Sequence, residues 1–448
     1  MARKKLTQKL TGFPLFHKQT NGFTFPLTHS FTKDFVGLDG LSLDLQFATD
    51  KTLTARKGPT PTFTRASTAT FVGSDGLIQS AAINAARFDH DPVTLASRGL
   101  LIEESRTNLL QRSEELDNAY WSKVATTVAG SQTSPSGNSS ADVITASVGA
   151  GRHIVFREFT GTAVPYTFSL FLKKGTNSFA QLQLTQSGAS NNFAIIVDLD
   201  TGLVTDTRSV GATSPSSSVI ALSNGWYRVS ITLTLSAAQW FVLVALSNAS
   251  VPSYDANNNP SFIALGTETI FAWGAQLEAG SFPTSYIPTT TASVVRSADV
   301  CSITGSDFTG FYNQSEGTLF ANIQSTGSGD RRPVAFDIGN NSQFYNFYAT
   351  SALSRYAQAS GSLGSFTMAG TVPSTPLLYA GTLKHGDYSL ALNGSIVGSS
   401  AVSLGATFTT LRIGAGGGGG GQFLCGHLAS IRYYKKRLSN AKLVTITV

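Results

Sequence analysis

Apolar and polar residues alternate with period two along most of this chain, in runs of five to ten residues. Leu41–Phe47, Tyr166–Leu172, Ala180–Leu184, Phe193–Asp198, Trp226–Leu235 and Trp240–Leu246 each place large apolar side chains on one face. That period predicts half-buried β-strands. Thr62–Val72 is rich in Thr and β-branched residues, a composition that favours strand. The Gly73-Ser-Asp-Gly76 stretch predicts a hairpin turn, and Asp200-Thr-Gly202 and Ser223-Asn-Gly225 predict further turns. Near the end, Gln422–Leu443 reads as a strand, a basic turn and one short helical turn opened by Leu438-Ser439. The expected fold class is all-β: two antiparallel β-sandwiches, very little helix, and an irregular N-terminal region.

At 448 residues the chain is too long for one ordinary sandwich. The pattern divides it into residues 1–35, a basic aromatic leader; 36–112, a β connector; 113–299, a first sandwich; and 300–448, a second. Charged residues make up only 13%, and the 43 glycines fit many turns. The net charge is +6, but Arg3, Lys4, Lys5, Lys9 and Lys18 fall within a stretch without Asp or Glu, and the remainder carries +1. Basic character therefore belongs to the leader, where Phe13, Leu15, Phe16, Phe23 and Phe25 add buriable rings. Such a segment is either a solvated tail or an anchor; Arg3, Lys4, Lys5, Lys9, Phe13 and Phe16 are the anchoring candidates. No apolar run has the length of a signal h-region or of a membrane span, so no membrane insertion is expected. Cys301 and Cys425 are too few for a disulfide framework; two buried thiols are the expectation and one bridge the alternative. The chain is expected to be made in a reducing cytoplasm.

Three resemblances follow. The ordered strings T-F-T-R-A-S-T-A-T-F-V-x-S-D-G-L-I, R-F-D-H-D-P-V-T and G-L-L-I-E-E-S-R-T-N-L-L, within about residues 60–122, resemble a cassette of tail, fibre and other surface proteins of tailed bacteriophages. Ile270–Gly280 with Ser285–Thr289 is similar to the final strand of jelly-roll carbohydrate-binding modules. Gly317–Ile323, Leu390–Val397, Leu411–Gly414 and the closing stretch at 426–439 resemble, in order, four markers of laminin-G/concanavalin-A-like lectin domains. Lys442 stands near that family's usual acidic position, a minor departure. The resemblances imply a virion protein, a tail fibre or tail-tip adhesin. It would join other virion proteins through its N-terminal region, form a homo-oligomer, most simply a trimer, and bind a host glycan or protein. A spacer or decoration protein without a host ligand is the alternative.

The residues themselves point away from catalysis. Glycoside hydrolysis needs two carboxylates facing each other about 5 Å or about 6.5–9.5 Å apart. Glu103-Glu104 and Glu114-Glu115 are sequence neighbours, expected on a solvated edge or first helical turn, and Asp198 and Asp200 suit a turn. A polysaccharide depolymerase is the weakest reading, because no β-helix repeat is present. The six histidines have no zinc spacing. Arg87-Phe-Asp-His-Asp91 is compact, but calcium needs more oxygens than Asp89 and Asp91 supply, so a turn capped by Pro92 is expected. No cofactor or metal is expected; calcium in the lectin-like domain is an unmapped implication of that resemblance. The glycine run Gly416–Gly421 lacks a following Lys-Ser/Thr and is expected to be a loop. Outside the leader, basic residues gather only at Lys435-Lys-Arg437, so nucleic acid is not an expected partner. Glycan binding needs aromatic faces with amides beside them. The candidates are Trp240; Tyr254 with Asn257 and Asn258; and Tyr345 with Asn346.

Overall fold

Alternation becomes strand nearly everywhere it was expected. The computed structural model describes residues 40–448 apart from 326–329, 341, 350–354, 374 and 417–421. The six anchoring candidates, Arg3, Lys4, Lys5, Lys9, Phe13 and Phe16, and most of the glycine run lie outside the described residues. Residues 40–448 form one unit. Among the described residues, helix is limited to short segments, and none is long and apolar enough to cross a membrane.

The first sandwich has two six-stranded antiparallel sheets. One runs Thr213–Ala221, Trp226–Thr234, Pro165–Lys174, Thr269–Ala279, Ala141–Ala146, Thr126–Gln132. The other runs Val204–Val210, Asn192–Asp198, Phe179–Gln186, Gln239–Ser247, Ile154–Thr160, Ser122–Val124. Phe168, Leu170 and Leu172 from the first sheet meet Ala180, Leu182, Leu184, Val242 and Val244 from the second in one apolar core. Because side chains alternate, Gln181, Gln183 and Thr185 must face away from that core.

The second sandwich pairs an eight-stranded with a seven-stranded sheet. Its closing strand, Gly426–Tyr434, runs along Thr318–Ser325 on one edge. Its other edge is shared by Leu41–Leu45 and Ser97–Ile102, and Arg87–His90 follows beyond. Thr62–Thr64 joins the opposite sheet through Val300–Thr304. The strands of the expected connector are thus full members of the second sandwich, and their Leu43, Leu45, Leu100 and Ile102 are fully buried in its core. The Thr62–Val72 run holds two strands. It breaks after Thr64, and Ala69–Val72 instead forms a hairpin with Ile78–Ala81 across the expected Gly73–Gly76 turn. There the Gly76 N–H donates to the Gly73 carbonyl at 3.0 Å and the Leu77 N–H to Asp75 Oδ1 at 3.0 Å. Asn393 and Gly394, with φ of 44° and 78°, make the hairpin turn between Tyr388–Leu392 and Ser395–Ser400, as a two-residue loop requires. The closing helical turn, Asn440–Ile446, starts where expected, with the Ser439 hydroxyl accepting from the Lys442 N–H.

Candidate functional site: a groove on the first sandwich

The outer face of the second six-stranded sheet is where polar residues stand on a rigid surface. Register places Thr185 between Asn192 and Phe241, and Leu243 between Gln183 and Phe156. The loop 253–260 folds over this face. Asp255 Oδ1 accepts from the N–H groups of Asn257 at 2.8 Å and Asn259 at 2.9 Å, which shapes the loop as a tight Asx turn. Gln181 Nε2 donates to the Asn258 carbonyl at 2.8 Å and Gln183 Nε2 to the Asn257 carbonyl at 3.1 Å, pinning the loop to the sheet. Arg152 reaches Asp255 at 3.5 Å.

Beside the loop lies an open groove of about 260 Å³, walled by Arg152, Phe156, Gln186, Phe241, Asn257 and Asn259. Phe156 and Phe241 are half-buried and meet edge to face, 6.0 Å between centroids. Several buried amide atoms under and around the loop have no hydrogen-bond partner among the described residues: Gln181 Oε1, Gln183 Oε1, both side-chain heteroatoms of Asn192, and Asn259 Oδ1. Buried polar atoms are normally paired; these lie beneath the surface and are not presented to the groove. Ring faces beside amides and a guanidinium are what a hydroxylated ring can stack on and bond to.

Of the six glycan candidates, Asn257 is in the groove wall. Tyr254 and Asn258 are in the same loop but already engaged. The Tyr254 hydroxyl donates to Asp206, Arg208 lies 4.6 Å over its ring, and burial together with Asp206 raises the phenol above its ordinary range. Asn258 spends its carbonyl on Gln181 and its side-chain oxygen on Arg208 at 3.3 Å. The other three are corrected. Trp240 is 1% exposed, packed in the first core with its indole N–H donating to the Ser236 carbonyl. Tyr345 and Asn346 are 0% and 1% exposed. Tyr345 packs against Phe347, Phe366 and Tyr388, so no ring face is left for a sugar. Its hydroxyl is buried and has no partner among the described residues. Tyr345→Phe is therefore expected to hold or raise stability by up to about 1 kcal/mol, whereas Tyr345→Ala should cost about 3–5 kcal/mol; denaturant unfolding of both variants distinguishes the two roles of the side chain.

Phe156, Phe241, Arg152 and Gln186 were missed. The signal was parity: with Trp240, Val242 and Val244 inside, Phe241 has to point out. An aromatic on the outer face of a strand is the residue to ask about.

The carboxylates form structure. Glu103 is not on a solvated edge but buried. It meets Arg87 at 2.8 Å and Arg296 at 3.4 Å, and accepts from the Ser285 N–H and hydroxyl at 2.7 and 2.6 Å. Burial alone would raise its pKa, but Arg296, Arg87 and Ser285 outweigh that and hold it well below the carboxylate range. Asp299 completes the network, with Arg65 at 3.0 Å, Arg87 at 2.5 Å and the Glu103 N–H at 2.8 Å. Glu104 pairs with Arg106 and with Arg331 at 3.1 Å. Glu114 accepts from the Tyr286 hydroxyl and Glu115 pairs with Arg112, while Asp198 caps the expected turn by accepting from the Asp200 N–H and Thr201 hydroxyl. Asp91 caps its own turn at Val93 and Thr94, whereas Asp89 bonds the Val72 N–H and His427, so the two do not converge on one cation. Among the described residues no three His, Cys, Asp or Glu side chains could hold a metal. Cys301 and Cys425 are buried free thiols; burial pushes the Cys425 thiol up to about 12.

No protein-family model and no curated protein matches the chain. Among solved structures, the CBM40 of Ruminococcus gnavus IT-sialidase bound to alpha2,6 sialyllactose is similar at 12% identity and a TM-score of 0.27, over 30% of this chain and 85% of that one. Domain 4 of AbnA, a GH43 extracellular arabinanase from Geobacillus stearothermophilus in complex with arabinotriose, is similar at 11% identity and a TM-score of 0.26, over 38% and 82%. Trypanosoma rangeli sialidase in complex with the inhibitor DANA is similar at 11% identity and a TM-score of 0.24, over 72% and 62%. These are what parts of the chain are similar to, and TM-scores this low assign neither a family nor a ligand.

Proposed function

We propose that this chain is a non-catalytic glycan-binding protein of a tailed-phage surface, a tail fibre or tail-tip adhesin, and that the groove beside loop 253–260 is its glycan contact. The observation that carries the glycan reading is the groove itself: paired Phe156 and Phe241 rings flanked by Arg152, Gln186, Asn257 and Asn259. The phage-type cassette supports the setting. Its charged residues Arg65, Arg87 and Glu103 lie together in the buried network, so the cassette acts as a structural junction. The basic, aromatic leader would join the chain to other virion proteins. One shallow groove gives weak binding, and repetition in a homotrimer would convert it into avidity.

The rival role is a spacer or decoration protein. The burial of Trp240, Tyr345 and Asn346 favours it, because half of the expected contact residues serve the cores instead. Titration of the full-length chain against bacterial surface polysaccharides separates the two. Saturable binding that weakens about tenfold in Phe241→Ala and in Arg152→Ala, the loss of roughly 1.4 kcal/mol, is expected. No saturable binding to any of them leaves the spacer role. Binding that survives both substitutions keeps adhesion and moves the contact elsewhere.

A further inference from the structure

The first sandwich leaves one long strand edge open. Thr213–Ala221 ends its sheet and, among the described residues, pairs with Trp226–Thr234 alone. All of its residues are exposed except Val219, which is half-buried. From Ser216 to Ala221 the register with the neighbouring strand runs without a shift; the irregularity lies before it, at 213–216, where Ser214 has φ of 50° and Pro215 follows. Parity gives the direction of the backbone groups. The Leu222 N–H donates to the Trp226 carbonyl at 2.7 Å, so the pairs that bond toward the neighbouring strand recur at Ile220, Ser218 and Ser216. The N–H and C=O groups of Ser217, Val219 and Ala221 therefore point outward, where a further strand would lie.

The other edges of this sandwich carry devices that discourage edge-to-edge association. Val204–Val210, joined to the open edge by residues 211–212, bears Asp206 and Arg208, and loop 253–260 engages both: the Tyr254 hydroxyl donates to Asp206, and Arg208 reaches Asn258 at 3.3 Å. Ser122–Val124 is only three residues long. Thr126–Gln132 is bent by a register shift and by Ser131 at φ 77°. Ser216–Ala221 has no charge, no proline and no shift, and it exposes Ile220 by 46%. Such a strand meets an antiparallel copy of itself without the like-charge repulsion that a charged edge would suffer. It is also self-complementary in hydrogen bonding. With a two-fold axis at Val219, the outward groups of Ser217, Val219 and Ala221 face those of Ala221, Val219 and Ser217 in the copy, so each donor meets an acceptor.

We propose that Ser216–Ala221 is a homotypic docking edge, on which the same strand of a second copy of this chain adds antiparallel. The two six-stranded sheets then run on as one. Ser218 of each copy lies beside Ile220 of the other, so the exposed Ile220 is covered. The contact is isologous, the same patch meeting itself about a two-fold axis. It does not rest on the glycan groove, and it doubles whatever unit the chain otherwise forms, a trimer included.

The test is sedimentation equilibrium of the full-length chain as wild type, Ser218→Lys and Ser218→Glu. Ser218 is exposed, so neither variant disturbs a core. Wild type is expected to associate reversibly in a step that doubles its mass. Each variant alone should weaken that step about tenfold, because one substitution sets like charges on both sides of the axis. An equimolar mixture of the two should regain it. Hydrogen exchange adds a readout specific to this edge. The amides of Ser217, Val219 and Ala221 should slow with protein concentration in wild type but not in Ser218→Lys, while those of Ser218 and Ile220, bonded within their own sheet, stay protected in both. A wild type that does not double at its highest soluble concentration, doubling undiminished in both variants, or a mixture that associates no better than either variant alone overturns the proposal.

Discussion

Asp299→Ala is expected to cost the fold about 3–5 kcal/mol, the cost of removing one partner from a buried ion pair. Asp299 is fully buried and holds three donors: Arg65 Nη1, Arg87 Nη2 and the backbone N–H of Glu103. Its loss leaves Arg65, itself fully buried, without its carboxylate, and leaves Arg87 with Glu103 alone. Burial already lowers the proton affinity of Arg65 against the pull of Asp299. The network also ties elements far apart in sequence: Arg65 just past Thr62–Thr64, Arg87 at the start of Arg87–His90, Glu103 just past Ser97–Ile102, and Arg296 and Asp299 from the segment leading into Val300–Thr304. Arg98→Ala is the control. It breaks the partly exposed pair with Asp91 and should cost no more than about 1 kcal/mol. Urea unfolding of both variants checks the contrast. Equal midpoints for Asp299→Ala and wild type would refute the junction's role.

Asp142→Asn is expected to stabilise the protein at pH 8, by more than it does at pH 5. Asp142 is 1% exposed, on the strand Ala141–Ala146. Burial raises its carboxyl, Asp117 and Glu115 raise it further, and the Leu116 N–H and Lys123 oppose them; the outcome is about 7 against an ordinary 3.8. The sign follows from proton counting. Between about pH 4 and 7 the folded chain holds a proton that the unfolded chain has released. Stability from this group therefore falls as pH rises through that window. At one pKa unit per about 1.4 kcal/mol, the shift corresponds to roughly 4 kcal/mol once Asp142 is fully ionised. Asn keeps an oxygen to accept from the Leu116 N–H, which bonds Asp142 Oδ2 at 2.6 Å, and carries no charge to desolvate. Thermal unfolding from pH 5 to 8 should show a decline in wild type that is flattened in Asp142→Asn. Parallel pH profiles for the two would show that Asp142 does not titrate in this range.

The strands were legible because alternation is a local property. Tyr166–Leu172 extends by only a few residues to Pro165–Lys174, and Trp226–Leu235 ends one residue earlier, at Thr234. The hairpin turn at Gly73–Gly76 and the Ser439 cap were legible for the same reason: the residues that make them are within five positions of each other. The all-β class follows directly from these.

Two things were not local. Period two says that neighbours point to opposite faces, but not which face meets a core. Trp240 and Tyr345 looked like sugar platforms only until the second sheet was in place to cover them, while Phe241, one position along, was left outside. Pairing partners are equally silent in the sequence. Residues 36–112 looked like a separate connector, yet strands within them fill edges of sheets whose other strands begin at Val300. Glu103 looked solvated because its cations, Arg87 and Arg296, lie 16 positions before it and 193 after it along the chain. By itself the sequence determined strands, turns and fold class, since steric preference and side-chain parity act over a few residues. The tertiary structure alone decided burial, the ionic junction, the groove and which strand is left at an open edge, because each is settled by long-range sheet pairing.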